Sequence, residues 1–265
     1  MSTLAIASAG TSPGVTTTAL ALTMAWARPV MLVEADVSKP SAVVAGLLQG
    51  ALPADAGLMG VAQTAGIEAV TEQDIWDFSV PLPQQSDEEL GRWLLPALSE
   101  PAAARQMRSF WTDLLRVLRG LDAHPMDAIV DLGRIEERHG RHDLILDTDH
   151  LALVVRSDLA SVAALGVYLP EIEADRASRG ASETISVIVV EDLAQKISSS
   201  QISKYLGVPV AGRIPHAAQA AAALSGGARV TTRTRRPLEA AARAATATLV
   251  QSIDKRRALM EGPVA

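Results

Sequence analysis

The 265-residue chain contains no cysteine. That excludes disulfides, iron–sulfur clusters, thiolate zinc sites and a cysteine nucleophile. Aromatic residues make up only 3%, and the four tryptophans, Trp26, Trp76, Trp93 and Trp111, are too scattered to form a base-stacking platform. No apolar run approaches the roughly 18 residues of a membrane span, because Thr17, Thr18, Thr23 and Arg28 interrupt the richest N-terminal segment. Positive charge is in deficit: 24 Lys+Arg against 30 Asp+Glu give a net charge of −6. Such a balance argues against a surface that coats nucleic acid or anionic membrane as a whole. Met1 to Ala9 has no basic run before its apolar stretch, so no secretory signal is expected and a cytoplasmic location is. What is present builds a core. With 48% hydrophobic and 20% charged residues, 18 Gly and 14 Pro, the chain is neither disordered nor collagenous. Its length suits one α/β domain over 1–265, with a C-terminal helix and tail over 235–265.

Short apolar runs alternate with segments of helical period. Strands are expected at Leu4 to Ala7, Val30 to Val33, Trp93 to Leu95, Ala128 to Val130, Leu151 to Val155, Ile185 to Val190 and Val208 to Val210. Between them, helices are expected over 16–27, 101–118, 137–147, 158–175, 198–206, 216–224 and 237–257, with a less regular stretch from Gly46 to Gly91. Continuous Val/Ile/Leu runs indicate strands buried on both faces, and intervening helices indicate parallel crossovers. The expected architecture is therefore a three-layer α/β/α sandwich with a mostly parallel sheet. Ligands bind such sheets at the carboxyl ends of the strands, so residues just after each strand carry the most functional weight.

The segment Ser8 to Thr18 leads from the first strand into a helix, where a phosphate loop belongs. A loop of this kind turns backbone N–H groups and a helix N-terminus toward a polyphosphate, with Lys reaching the outer phosphates and Ser/Thr holding Mg²⁺. Gly10, Thr11, Ser12, Gly14, Val15, Thr16 and Thr17 are the candidate cofactor-binding residues here. The pattern G-x-x-x-x-G-K-[ST] is broken twice, by Ala9 and by Val15, and Pro13 removes one N–H donor.

Further corners of the site carry a resemblance. Glu34-Ala35-Asp36 ends the second strand, Asp127 to Arg134 ends an apolar strand at Asp131, and Ile202 to Pro215 runs from a helix through a strand to a proline. On these motifs the chain resembles the MinD/ParA family of deviant P-loop ATPases over roughly 1–250, and Leu132-Gly133-Arg134 with Leu94-Leu95-Pro96 points toward the CpaE/TadZ and septum-site-determining branch. The resemblance implies a P-loop NTPase-like fold, ATP or ADP with Mg²⁺ as cofactor, a metal corner of Thr16, Asp36 and Asp131, catalytic water positioning by Asp36, and Pro215 on the adenine side. It also exposes departures. Both family lysines are missing, since Gly10 and Val15 stand in their places, and Glu191-Asp192 stands where the family has an adenine-reading Asn.

Phosphoryl transfer rests on stabilising charge in the transition state, and one lost donor typically costs roughly 3–4 kcal/mol. Two are lost here. The resulting expectation is a pseudo-ATPase or weak nucleotide binder, homodimeric, that organises a partner complex in division, segregation or secretion. Two alternatives stay open: a slow but genuine Mg-ATPase in which Arg134 or Arg156 replaces lysine, and a nucleotide-free dimeric scaffold whose pocket Pro13 and Val15 close. Without a lysine crossing to the partner's phosphates, a dimer interface is expected elsewhere, in the 46–91 segment or on the helix bearing Phe110 and Trp111. Arg229, Arg233, Arg235 and Arg236 form a basic cluster of the sort ParA relatives use to hold DNA nonspecifically, but at net −6 a solvated helix start is favoured. His139 and His142, with Asp143 adjacent, have helical i, i+3 spacing; on a polar, Arg-flanked stretch, solvated imidazoles are favoured over zinc. Ala258, Leu259 and Met260 offer too short an apolar face for a firm membrane anchor.

Overall fold

The computed structural model describes residues 1–10, 13–53, 56–65, 69–83, 90–97, 108–121, 125–135, 142–181 and 184–261. Among these, eight strands and ten helices follow in the order β1 (Thr3–Ser8), α1 (Val15–Ala25), β2 (Val30–Glu34), α2 (Ala42–Ala45), α3 (Leu58–Ala65), α4 (Glu72–Asp77), β3 (Val80–Pro81), β4 (Arg92–Leu95), α5 (Arg108–Arg119), β5 (Asp127–Arg134), α6 (His142–Leu146), β6 (His150–Arg156), α7 (Leu159–Ser178), β7 (Ile185–Val190), α8 (Ser199–Leu206), β8 (Val210–Ile214), α9 (Ala218–Gly226) and α10 (Thr232–Glu261). The strands form one sheet in the order β3-β4-β2-β5-β1-β6-β7-β8. Among them, only β3 is antiparallel to its neighbour.

The sheet is covered on both faces, as parallel strands require. Along β1, Leu4 and Ile6 enter one apolar layer and Ala5 and Ala7 the other; Val30 and Leu32 oppose Met31 and Val33 in the same way along β2. The first layer packs beneath α1, α9 and α10 through Leu20, Leu22, Ala220, Leu238, Ala242 and Leu249. Beneath α3 to α8 lies the second, with Leu58, Ile75, Trp111, Leu144, Leu165 and Ile202. The chain leaves β1 toward β2 on one side and later returns to place β6 on the other, so the crevice between these directions opens over the carboxyl ends of β1, β2 and β5.

Several elements differ from the sequence expectation. The last strand begins at Val210 rather than Val208, because Pro209 has no N–H for the ladder and offers only its carbonyl, to Val187 N–H. The C-terminal helix starts at Thr232, ahead of both 235 and 237, with Thr231 Oγ1 accepting from Thr234 N–H, so Pro237 sits inside its second turn. The 46–91 stretch is not simply irregular: it contains α3 and α4, the latter opened by a reciprocal Thr71–Asp74 capping box. Residues 101–107 and 137–141 of two expected helices lie outside the described residues. No helix among the described residues is long and apolar enough to cross a membrane.

Candidate functional site

Ser8 closes β1, and its hydroxyl donates to the Gly10 carbonyl at 3.4 Å. Thr11 and Ser12 lie outside the described residues. Gly14 then takes φ 89° and ψ 43°, a left-handed conformation with open space where a Cβ would stand, and serves as N-cap of α1. Gly14 has no side chain with which to cap this helix, and the first turn holds no carboxylate. A helix N-terminus of this kind presents N–H groups and a positive dipole end that suit an anion. Val15, at the position of a P-loop lysine, is 6% exposed and belongs to the apolar layer with Leu4 and Ile6. Thr16 is buried and Thr17 half-buried.

Three of the expected site residues come together here. Asp36 follows β2, and its Oδ1 accepts from Ser38 N–H at 3.0 Å and Ser38 Oγ at 2.6 Å. Asp131 sits inside β5, opposite Ile6 of β1 and Glu34 of β2, with its Oδ1 accepting from Gly133 N–H at 2.9 Å. Burial pushes the Asp131 carboxyl above its ordinary pKa, while hydrogen bonds from the Thr16 hydroxyl and Gly133 N–H pull it back, and Asp36 adds repulsion. Gly133 has φ 62°, and a Cβ on it would fall 2.3 Å from Asp36 Oδ2, so glycine is what lets the two carboxylates share one corner.

A lysine is present after all. Lys39 Nζ donates to Thr16 Oγ1 at 3.1 Å and lies 3.5 Å from Asp36 Oδ2. Sequence reasoning missed it because phosphate-loop patterns place their lysine beside the Ser/Thr. The available signal was a cation three residues after Asp36, on the turn that leaves a strand's carboxyl end. Arg134 ends β5 opposite Ser8, at the root of the loop. Arg156 is instead engaged by Asp192 at 2.7 Å and Asp158 at 3.8 Å, which oppose its use as a phosphate donor.

Glu34 is a second buried carboxyl at this edge whose proton is held more tightly than usual. Burial raises its pKa to about 7, the Ser41 side chain opposes this by hydrogen bonding, and Asp131 reinforces it. At the adenine-side position, Glu191 pairs with Arg213 at 3.5 Å, and Asp192 accepts from Ala194 and Gln195 N–H. Those two acids are spent on loop structure. Pro215 follows β8 at the same edge of the sheet. Phe110 and Trp111 are 8% and 0% exposed and pack within the chain's own core, so this pair cannot supply a dimer surface. Large apolar side chains are exposed instead on α7 and α8, at Leu159, Val167, Tyr168 and Tyr205. Arg229 and Arg235 border a cavity of about 580 Å³ behind α1, away from the loop, with Arg235 3.7 Å from Glu239. Arg233 and Arg236 are exposed. His139 lies outside the described residues, and Asp143 pairs with Arg179 at 3.2 Å.

This architecture is the MinD/ParA-like P-loop NTPase fold. Among solved structures, the cell division protein MinD of Aquifex aeolicus is similar with a TM-score of 0.69 at 17% identity, covering 100% of this chain and 99% of that one. A McdA variant from Cyanothece, in complex with ATP, gives 0.69 at 19% identity, covering 94% and 96%. The septum site-determining protein MinD of Pyrococcus horikoshii, complexed with Mg-ADP, gives 0.66 at 14% identity and covers 99% of each. No protein-family model matches the sequence, and no curated protein is significantly similar to it.

A hydroxyl with two carboxylates is a donor set that Mg²⁺ uses beside phosphates. In this arrangement, however, the Lys39 ammonium lies against Thr16 and Asp36 of that set, and no three His, Cys, Asp or Glu side chains converge as a metal site among the described residues. The corner fits a cation, and the cation it holds is a side chain.

Proposed function

We propose that this chain is a single-domain nucleotide-binding protein of the MinD/ParA kind, a pseudo-ATPase or weak ATPase that acts as a homodimer to organise the position or assembly of a partner complex. The observation that carries the reading is the convergence of Thr16, Asp36 and Asp131 on the uncapped N-terminal end of α1. ATP or ADP would seat its phosphates against the N–H groups of Val15, Thr16 and Thr17, with Gly10, Thr11, Ser12 and Gly14 forming the loop and Pro215 flanking the base. Asp36 would orient the attacking water. Weak turnover follows from the charge supply: position 15 is a buried valine, position 10 a glycine, and Arg156 is held by two aspartates. A role in positioning is supported by the similar structures, one a cell division protein and one a septum site-determining protein.

The test combines calorimetric titration with ATP and ADP and a steady-state phosphate-release assay. Binding with turnover about a hundredfold or more below that of a lysine-bearing family member is expected. Comparable turnover would overturn the pseudo-ATPase reading. Absence of binding in both Mg²⁺ and EDTA would favour the nucleotide-free scaffold.

A further inference from the structure

The surroundings of Lys39 deepen the nucleotide-binding reading and depend on it. Lys39 extends from the turn after β2, between Ser38 and Pro40. Ser38 grips Asp36 Oδ1 through both its N–H and its hydroxyl, which turns the other oxygen, Oδ2, toward Lys39 Nζ at 3.5 Å. Gly133 lies so close to Oδ2 that a Cβ on it would fall 2.3 Å away. The ammonium donates to Thr16 Oγ1, and the Thr16 hydroxyl in turn donates to Asp131. One positive charge therefore serves a hydroxyl and two carboxylates through direct or relayed contact, the three groups to which a divalent ion would bind.

An ammonium is a compact point charge with three donors. One is committed to Thr16 and one faces Asp36, leaving a third for an anion at the N-terminal end of α1. A divalent ion entering the same corner would have to displace Lys39, since two cations at hydrogen-bond spacing repel strongly in a partly buried setting. We infer that Lys39 is the resident cation of the Thr16–Asp36–Asp131 corner and stands in for the divalent ion, so that the chain binds nucleotide phosphates without Mg²⁺. The lysine absent from the loop is replaced by one placed 23 positions after Thr16.

Fluorescence or calorimetric titration with ATP separates the outcomes, using the full chain and its Lys39→Met variant, each in Mg²⁺ and in EDTA. Lys39 is about half exposed, so its replacement leaves the core intact. The wild type is expected to bind equally well in both media; Lys39→Met is expected to lose about tenfold or more in EDTA and to recover in Mg²⁺. A wild type that needs Mg²⁺, or a variant indifferent to the medium, would overturn the assignment while leaving nucleotide binding itself standing. No binding by the wild type in either medium would remove both. A second measurement needs no nucleotide: electron paramagnetic resonance of Mn²⁺ with the ligand-free protein should show more ion retained by Lys39→Met than by the wild type. Equal retention would also overturn the assignment.

Discussion

Replacing Glu34 by glutamine tests the electrostatics of the strand-end cluster directly. Glu34 is 3% exposed, pairs with Asp131 across the β2–β5 ladder, and accepts from Ala97 N–H at 3.4 Å. Its pKa is raised from 4.5 to about 7, chiefly by burial. The folded protein therefore keeps this proton until about pH 7, whereas the unfolded chain releases it near 4.5. Between those values the folded state binds more protons, so stability falls as pH rises and then levels off. At 1.36 kcal/mol per pKa unit, the loss approaches about 3 kcal/mol. Glutamine keeps the shape and one acceptor for Ala97 while removing the titration. Urea unfolding followed by tryptophan fluorescence at about pH 5 and about pH 8.5 should show Glu34→Gln gaining on the wild type by about 2–3 kcal/mol at the higher pH. Buried His150, whose pKa burial and the nearby Arg176 and Arg256 lower to about 4, also titrates in part of this range, but it is common to both proteins and cancels in the difference. Parallel pH profiles for the two proteins would refute the reasoning.

Two other substitutions report on neighbouring features. Gly133→Ala places a methyl group 2.3 Å from Asp36 Oδ2 on a left-handed backbone, so it should cost about 1–2 kcal/mol and weaken ATP binding by displacing Asp36; unchanged titration and melting curves would contradict this. Arg176 is fully buried and donates to Thr184 Oγ1, to the Thr148 carbonyl at 2.8 Å and to the Ile145 carbonyl. Arg176→Met strands those acceptors and should lower stability by about 3 kcal/mol or more in urea, without altering the phosphate site.

The central strands were legible because Leu4 to Ala7, Val30 to Val33 and Ile185 to Val190 are uninterrupted apolar runs, which only a sheet covered on both faces accommodates. Legibility failed where local chemistry competed. β3 is two residues long and includes Pro81, too little for any periodicity. β8 reads Val-Ala-Gly-Arg-Ile, whose glycine and arginine dilute the strand signal, and the preceding Val208-Pro209 drew the expected start two residues early. Thr16, Asp36 and Asp131 stood out as candidates because each comes after an apolar run of the sequence. Lys39 carried only the weaker signal of a cation three residues after Asp36, because its place beside Thr16 arises from β1 and β2 each pairing with the distant β5. The same holds for Gly133, whose need for glycine appears only once Asp36 lies against it.

The sheet order has a consequence for how the protein comes into being. β1 precedes both of its sheet partners by more than a hundred residues, yet it lies between β5 and β6, with Thr3 opposite Ala128 and Leu4 opposite His150. A nascent chain that has emerged only as far as α5 holds an apolar strand with neither neighbour available, and an unpaired edge of that kind invites association with other chains. Such distant pairings also slow folding, because loop closure must precede the contacts that reward it. Thr16 and Asp36 therefore meet Asp131 only once β5 has been made and has paired with both β1 and β2.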